Sequence, residues 1–235
     1  MRSEGNCITQ TRITNLTGSN GKPIAGVRWQ AGQGAANRVA ICLPGMSYPS
    51  DGPVTFYVRQ AFLAAGWDWW SIDYRYPEDE EFARFDWPDR DRYIRRDATE
   101  IGSYLGRSLR GRGLVLVGKS LGTIMIDQVL IDGALHRAAG RIGFVILTPT
   151  DVQASILDAL EGTSDPALFV AGDADRFFDP ALARRADAMT NVRQLVIPGA
   201  GHVLEDVHGN IAKSIQNLIP SVDLVRQALA EDFFG

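Results

Sequence analysis

The chain has 235 residues, with 24 lysine and arginine residues against 28 aspartate and glutamate residues, and a net charge of −4. This length fits a single α/β domain over residues 1–235 with a substantial buried core, and an acidic balance without a basic cluster argues against nucleic acid as a partner. Because residues 1–6 are not apolar, and no apolar stretch reaches the ~20 residues that span a membrane, we expect a soluble cytoplasmic protein without a membrane partner.

The sequence offers few groups for a disulfide or a metal site. Cys7 and Cys42 are the two cysteines, and Cys42 lies in the apolar run 39–43, where a small buried thiol is typical. The three histidines have no spacing typical of metal ligands. We therefore expect no disulfide, no metal and no cofactor.

Apolar and β-branched runs alternate with helical patterns along the chain. The first two runs are joined by Gly18-Ser19-Asn20-Gly21, which is typical of a hairpin turn, and the later runs are separated by segments of helix length. This alternation predicts an antiparallel start, then a mainly parallel sheet with right-handed crossovers and helices on both faces. The eight predicted strands span residues 8–16, 24–30, 38–43, 67–73, 114–117, 142–147, 167–171 and 193–197.

Two intervals between the strands bear on access to a site. Residues 148–166 leave space for one helix, so we expect no large cap domain. Residues 74–91 form the longest stretch without a regular pattern and combine charged with aromatic residues. We expect an irregular loop there, which either serves as a lid or is a charged surface loop held by its aromatic side chains.

The segment Gly118-Lys119-Ser120-Leu121-Gly122 follows the predicted strand 114–117 and precedes a helical stretch, 123–135. A serine between two glycines on a sharp strand-to-helix turn is the pattern of a nucleophile elbow, in which the hydroxyl is exposed for attack on a carbonyl. Ser120 is therefore the predicted nucleophile. The backbone N–H of Leu121 is a predicted donor to the oxyanion, and the turn after the first parallel strand offers a second donor at Met46.

The same residues also satisfy the phosphate-binding expression G-x-x-x-x-G-K-S, from Gly113 to Ser120. In a phosphate-binding loop, the residues between the glycines form a tight loop whose N–H groups face the phosphates. Here those residues are an apolar strand. The pattern thus disfavours nucleotide binding, although the expression matches.

The chain order serine, aspartate, histidine is that of this type of elbow enzyme. His202 lies in a glycine-rich loop after the last predicted strand and is the predicted general base, whereas His136 and His208 are expected to cap a helix or coat the surface. Asp175 is the predicted carboxylate that orients the imidazole. Its competitors are expected instead to brace turns or to cap helices, a role that suits Asp179 best; they are Asp173, Asp179 and Asp151.

Together these segments resemble the α/β-hydrolase superfamily over nearly the whole chain, and within it small, cap-less bacterial hydrolases. The resemblance implies a triad of Ser120, Asp175 and His202, and it implies no particular substrate. Lys119 stands where many lipases and esterases have histidine, a difference that alters local polarity and leaves the mechanism intact. The segments that carry the resemblance are Leu43-Pro44-Gly45, Ile72-Asp73-Tyr74-Arg75-Tyr76, Gly118-Lys119-Ser120-Leu121-Gly122-Thr123, Leu147-Thr148-Pro149, Gly172-Asp173-Ala174-Asp175 and His202-Val203-Leu204-Glu205.

The sequence therefore predicts a carboxylesterase-like serine hydrolase. It would cleave a small-molecule carboxylic ester or thioester through an acyl-enzyme on Ser120. The same residues could also cleave peptide or carbon–carbon bonds, and the fold alone does not choose among these reactions. The alternative from another class is a non-catalytic binding module with the same fold. A nucleotide-binding protein of the phosphate-loop type is the least favoured.

Overall fold

A computed structural model describes residues 8–32, 34–139 and 141–235 of the chain; Cys7 lies outside these ranges. One eight-stranded sheet, in the order β1-β2-β4-β3-β5-β6-β7-β8, organises them. Strands β1 and β2 pair antiparallel, β2 pairs antiparallel with β4, and the other neighbours are parallel. The strands are β1 Thr9–Ile13, β2 Ala25–Gln30, β3 Arg38–Leu43, β4 Asp68–Asp73, β5 Gly113–Ser120, β6 Ile142–Pro149, β7 Ala167–Gly172 and β8 Val192–Ile197.

Eight helices cover the two faces of the sheet in the described part of the chain. Alternate residues of the central strands enter separate cores: Leu114 and Leu116 of β5 pack into one core, and Val115 and Val117 into the other. This alternation is the period of two that a strand buried on both faces requires. The helices are α1 Pro53–Ala64, α2 Glu80–Arg84, α3 Trp87–Ser108, α4 Leu121–Asp132, α5 Ala134–Ala139, α6 Gln153–Glu161, α7 Pro180–Asp187 and α8 Ile211–Ala230. Helices α1 and α8 pack on one face, and α3 to α7 contribute to the core on the other.

The predicted architecture is confirmed in its main features. All eight predicted strands are present, and the turn 18–21 joins β1 to β2 through hydrogen bonds from Gly18 N–H to the Lys22 carbonyl and from Gly21 N–H to the Gly18 carbonyl, each 2.9 Å. Between β6 and β7 lies one helix, α6, so the chain carries no large cap there. Strand β5 is longer than predicted, because it continues through Gly118 to Ser120.

The prediction of an irregular loop over residues 74–91 is wrong. A short 3₁₀ turn at Tyr76–Glu78, helix α2 and the first turn of α3 occupy it. Asp79 caps α2 by accepting hydrogen bonds from two backbone N–H groups, and Asp86 caps α3 by accepting one, from the Asp89 N–H. These caps satisfy donors that the first turn of a helix otherwise leaves free.

The helix predicted over 123–135 also differs from the structure. Helix α4 begins earlier, at Leu121, and ends at Asp132. Gly133 then takes a left-handed conformation with φ 62°, which ends the helix, and the separate helix α5 follows. Within the described ranges, no helix is both long enough and apolar enough to cross a membrane.

Candidate active site

Strand β5 ends and helix α4 begins at adjacent residues, Ser120 and Leu121, so the chain turns sharply there. Ser120 has φ 52° and ψ −115°, a conformation that is unfavourable for a residue with a side chain. Gly122 allows the turn because a Cβ there would lie 1.8 Å from the carbonyl oxygen of Leu43. Gly118 allows it because a Cβ there would lie 2.8 Å from the carbonyl oxygen of Gly122. The elbow glycines are thus required by close backbone packing.

Three side chains predicted from the sequence come together at the carboxyl ends of β5, β7 and β8. The Nε2 atom of His202 lies 2.7 Å from Ser120 Oγ. The Nδ1 atom of His202 lies 2.6 Å from Asp175 Oδ2. Both distances are those of hydrogen bonds, so one imidazole connects the serine hydroxyl to the carboxylate.

The loops that follow β7 and β8 hold these side chains in place. Asp175 Oδ1 accepts a hydrogen bond from the backbone N–H of Phe177, 3.1 Å away, so both of its carboxylate oxygens are bonded. The His202 loop is closed by Gly201 N–H, which donates to the Glu205 carbonyl at 2.8 Å, and by Val203 N–H, which donates to the Glu205 carboxylate at 2.8 Å. These hydrogen bonds hold the carboxylate and the backbone on either side of His202 in position.

The environment keeps Asp175 ionised. Its side chain is almost fully buried, and burial by itself would raise the pKa of Asp175. Hydrogen bonds from His202 and the Phe177 N–H, together with the positive charge of Lys119, outweigh burial and lower the pKa of Asp175 below its ordinary value. An ionised carboxylate at Nδ1 leaves Nε2 facing the serine as the proton acceptor.

The competing aspartates take other roles. Asp173 Oδ1 accepts a hydrogen bond from Gly199 N–H at 2.6 Å, so it ties the loop after β7 to the loop after β8. Asp179 caps α7, as predicted, by accepting from Ala181 N–H. The expectation that Asp151 caps a helix is wrong: helix α6 begins after Val152 without a side-chain cap, and Asp151 is exposed.

The two other histidines do not reach this site. His208 is exposed, as expected, but it lies in the turn that precedes α8. His136 is not a surface-coating residue: its Nε2 lies 2.7 Å from Asp165 Oδ2, and its ring is half-buried beside Phe144. Burial would raise the pKa of Asp165, but hydrogen bonds from His136 and from the Ile142 N–H lower it.

Lys119 is a functional candidate, although the sequence predicted for it no more than a change of local polarity. Its side chain is 1% exposed. Its ammonium donates to Thr148 Oγ1 at 2.9 Å and to the His202 carbonyl at 3.1 Å, and it lies 4.6 Å from the centre of the Tyr48 ring. Burial lowers the pKa of Lys119 to about 8, against the raising effect of Asp175 and Glu205. A charged residue in the buried register of β5 was the signal available in the sequence.

These contacts also weaken the phosphate-binding alternative. Residues Gly113 to Gly118 belong to the extended strand β5, paired with β3 and β6, so their N–H groups do not form a phosphate cradle. The ammonium of Lys119 is buried and already bonded within the protein.

The two predicted oxyanion donors border one cleft with Ser120 and His202. Leu121 is the first residue of α4, so its N–H has no acceptor inside the helix. Met46 lies in the turn that Gly45 and Tyr48 close. The cleft has a volume of about 370 Å³ and is open to solvent. Six apolar or aromatic side chains contribute to its wall: Met46, Tyr48, Trp87, Leu121, Phe177 and Val203.

Across the described ranges, no group of three or more histidine, cysteine, aspartate or glutamate side chains has the geometry to hold a metal ion. Cys42 is a buried free thiol within β3, and burial raises its pKa to about 12. This thiol is therefore kept protonated and unreactive near neutral pH.

Comparison with known proteins gives likeness at the level of structure. The chain matches no protein-family model and no curated protein. An alpha-beta serine hydrolase homologue from Coxiella burnetii superposes with a TM-score of 0.64 at 17% identity, over 92% of this chain and 98% of that one. A Pyrococcus furiosus esterase gives a TM-score of 0.65 at 14% identity, over 97% and 94%.

A cold-adapted esterase from an Arctic intertidal metagenomic library is similar as well, with a TM-score of 0.62 at 14% identity, and 94% of each chain is covered. Identities this low carry information on the fold rather than on the chemistry. The strand order, the turn from β5 into α4 and these structural likenesses agree, and the chain has the α/β-hydrolase fold.

Proposed function

We propose that this protein is a serine hydrolase that cleaves a small-molecule carboxylic ester or thioester through an acyl-enzyme on Ser120. The observation that supports the proposal most strongly is the chain of two hydrogen bonds from Ser120 through His202 to Asp175, at 2.7 and 2.6 Å. A serine hydroxyl is a weak nucleophile unless an adjacent base accepts its proton, and this arrangement supplies the base. Two of the similar structures are esterases, one from Pyrococcus furiosus and one from an Arctic intertidal metagenomic library, which agrees with the proposal.

In the proposed reaction, Ser120 Oγ attacks the carbonyl carbon of the ester while His202 Nε2 takes the hydroxyl proton. The negative charge that develops on the carbonyl oxygen is bound by the backbone N–H groups of Met46 and Leu121. The tetrahedral intermediate collapses as His202 gives its proton to the departing alcohol or thiol, and the acyl group stays on Ser120. Water then attacks the acyl-enzyme with His202 again as base, which releases the acid and the free serine.

Asp175 acts on this cycle through His202. Its carboxylate accepts a hydrogen bond from Nδ1–H, which fixes the tautomer and stabilises the imidazolium that forms at each proton transfer. Substrate reaches the serine from an open cleft, because one helix rather than a cap lies between β6 and β7. Ester cleavage needs no cofactor in this scheme.

A matched pair of serine variants tests the proposal. Ser47 borders the same cleft and is exposed, and in the described part of the chain no hydrogen bond joins its hydroxyl to a histidine ring. Hydrolysis of p-nitrophenyl acetate by the parent protein should fall by about 10⁴-fold or more in Ser120→Ala, because the nucleophile is lost. Ser47→Ala should keep most of the activity. Equal activity in the parent and Ser120→Ala would refute the acyl-enzyme.

A further inference from the structure

The cleft around Ser120 is positively charged although the protein as a whole is acidic. Arg90, Lys119 and Arg176 border it, and the described residues that border it include no aspartate or glutamate. The whole chain has a net charge of −4. A local excess of one charge sign in a cleft attracts ligands of the opposite sign, so the charge distribution bears on the substrate.

The guanidinium groups of Arg90 and Arg176 have no carboxylate partner among the described residues. In the described ranges, neither Arg90 nor Arg176 forms an ion pair with a carboxylate, whereas surface arginines such as Arg185 pair with acidic neighbours. Arg176 lies over the Phe177 ring, 4.6 Å from its centre, and its side chain is exposed. The cleft therefore presents a guanidinium whose polar contacts are free for a ligand.

Arg90 is held more firmly. It donates to the carbonyl oxygens of Phe82 and Ala83, at 3.3 and 2.9 Å, near the end of α2. Trp87 lies one helical turn before it on α3, so the two side chains share a face of the helix and border the cleft together. A preorganised guanidinium loses little freedom when it binds an anion.

A second arginine and a second aromatic residue border the cleft from the loop after β7. Phe177 packs against the ring of His202, with 5.2 Å between the ring centres, and Arg176 lies on Phe177. The cleft that holds the reacting serine is thus bordered by an arginine and an aromatic residue from α3 and by another such pair from the loop after β7. Apolar surface next to a cation suits a substrate that has an apolar body and an anionic end.

We propose that the substrate is an ester or thioester whose acyl or leaving group carries an anionic group, a carboxylate or a phosphate, which Arg90 and Arg176 bind. This inference rests on the proposed hydrolase function and adds a charge preference to it. Guanidinium groups bind carboxylate and phosphate through paired N–H donors, and such contacts are stronger than those between neutral groups. Lys119 adds positive charge at the base of the cleft without contacting the anion, because its ammonium is bonded to Thr148 and His202.

Matched ester pairs test the charge preference on each side of the scissile bond. For the acyl side, mono-p-nitrophenyl adipate is compared with p-nitrophenyl hexanoate; for the leaving group, 4-acetoxybenzoate is compared with its methyl ester. Each kcat/KM is divided by the rate constant for hydroxide-catalysed hydrolysis of the same ester, which removes the difference in intrinsic reactivity. We expect the anionic member of at least one pair to be preferred by about tenfold.

Variants locate the preference. Arg176→Gln should lower the preference for the anionic ester several-fold, through a higher KM for that ester. The double variant Arg90→Gln with Arg176→Gln should abolish the preference, and Arg176→Lys should retain part of it. Arg184→Gln removes the same charge from an exposed position on α7 that does not border the cleft, so it should leave the preference unchanged. Added salt should reduce the preference in the parent protein, because the Arg176 contact is exposed to solvent.

The outcomes separate this inference from the proposed function. If fluorophosphonate labels Ser120 and neutral esters are cleaved, yet neither anionic ester is preferred, the proposed function stands and the charge preference is wrong. A preference that survives in the folded double variant also overturns the assignment to the two arginines. If Ser120 is not labelled and no ester is cleaved, both proposals fail.

Discussion

The ammonium group of Lys119, the residue before Ser120, donates a hydrogen bond to the backbone carbonyl of His202 at 3.1 Å. The end of strand β5 is thereby tied directly to the loop that carries the imidazole. A second bond from the same ammonium to Thr148 Oγ1, at 2.9 Å, joins the end of β6 to this contact. One buried cation thus connects the ends of two strands to the loop that carries the imidazole.

Replacing Lys119 should displace His202 and should have a smaller effect on substrate binding. We expect Lys119→Met to lower kcat by about 10- to 100-fold with a smaller change in KM, because a displaced base transfers protons poorly. Steady-state kinetics on p-nitrophenyl acetate measure both constants. Lys22→Met, which removes an exposed lysine paired with Asp79, is the control and should change neither. An unchanged kcat in a folded Lys119→Met protein would show that the contact does not position the base.

Lys119 should also give the protein a distinctive dependence of stability on pH. Burial lowers the pKa of Lys119 from 10.5 to about 8. Between these values the unfolded chain binds a proton that the folded chain does not, so the contribution of Lys119 to the free energy of unfolding rises with pH. Between about pH 8 and about pH 9.5, the free energy of unfolding of the parent should increase by on the order of 1 kcal/mol relative to that of Lys119→Met.

Urea denaturation of both proteins at several pH values measures this difference. The comparison with Lys119→Met removes the effect of other groups, such as Cys42, whose pKa burial raises to about 12 and which therefore lowers stability as the pH rises. If the difference in free energy of unfolding between the two proteins does not change with pH, Lys119 keeps an ordinary pKa. A decreasing difference would mean that its pKa is raised.

His202→Ala should remain folded and lose activity. We expect kcat to fall by about 10⁴- to 10⁶-fold, because the serine loses the group that accepts its proton. Circular dichroism checks the fold, and stopped assays over long times measure the residual rate. His208→Ala changes an exposed histidine and should retain normal turnover. Loss of activity in His208→Ala, with an active His202→Ala, would contradict the assignment of the base.

Three aspartate variants separate orientation of the imidazole from support of the loops. Asp175→Asn should keep the fold and lower kcat by roughly 10⁴-fold, because the imidazole loses its orientation and its stabilising charge. Asp173→Asn should act mainly on stability, by about 1 kcal/mol, because it weakens the bond from Gly199 N–H. Asp151→Asn changes an exposed side chain and should alter neither kcat nor stability. Near-normal turnover in Asp175→Asn beside a large catalytic loss in Asp173→Asn would reverse the assignment.

The open cleft predicts a preference for short acyl chains. Its volume of about 370 Å³ leaves no enclosed tunnel for a long chain, and no cap covers it. Among neutral p-nitrophenyl esters, kcat/KM should be highest for acyl chains of a few carbons and should fall towards palmitate. A value that rises steadily from acetate to palmitate would contradict this expectation.

The sequence predicted the fold well because its strong signals are local. The apolar run before Ser120 and the flanking glycines sufficed to predict the strand and the elbow, and the structure shows why glycine is needed at residue 122, where a Cβ would meet the Leu43 carbonyl. The capping roles of Asp79 and Asp86 were missed, although aspartate before a helix is a recognisable signal. Residues 74–91 contain many charged residues, so the few apolar residues with helical spacing did not give a recognisable helical pattern.

Contacts between distant segments could not be read from the sequence in the same way. The bond from Lys119 to the His202 carbonyl joins residues 83 positions apart, and Arg90 on α3 and Arg176 in the loop after β7, which border one cleft, are also distant in sequence. No local periodicity encodes either relationship. Asp175 was predicted over Asp173 because it lies two residues further into the loop, from where a carboxylate can reach the His202 loop, and because it matches the position of the acid in the family that the chain resembles. The choice of carboxylate stays a prediction until the variants are measured.

The central claim is that Ser120 is an activated nucleophile, and covalent labelling with a fluorophosphonate probe tests it most directly. Ordinary serine hydroxyls react poorly with such probes, whereas a serine paired with a positioned base reacts readily. We predict about one label per chain, located on Ser120 by peptide mass spectrometry, unchanged in Ser47→Ala and absent in Ser120→Ala and His202→Ala. Folded parent protein that stays unlabelled, or that is labelled at Ser47 instead, would contradict the account and favour a non-catalytic binding module.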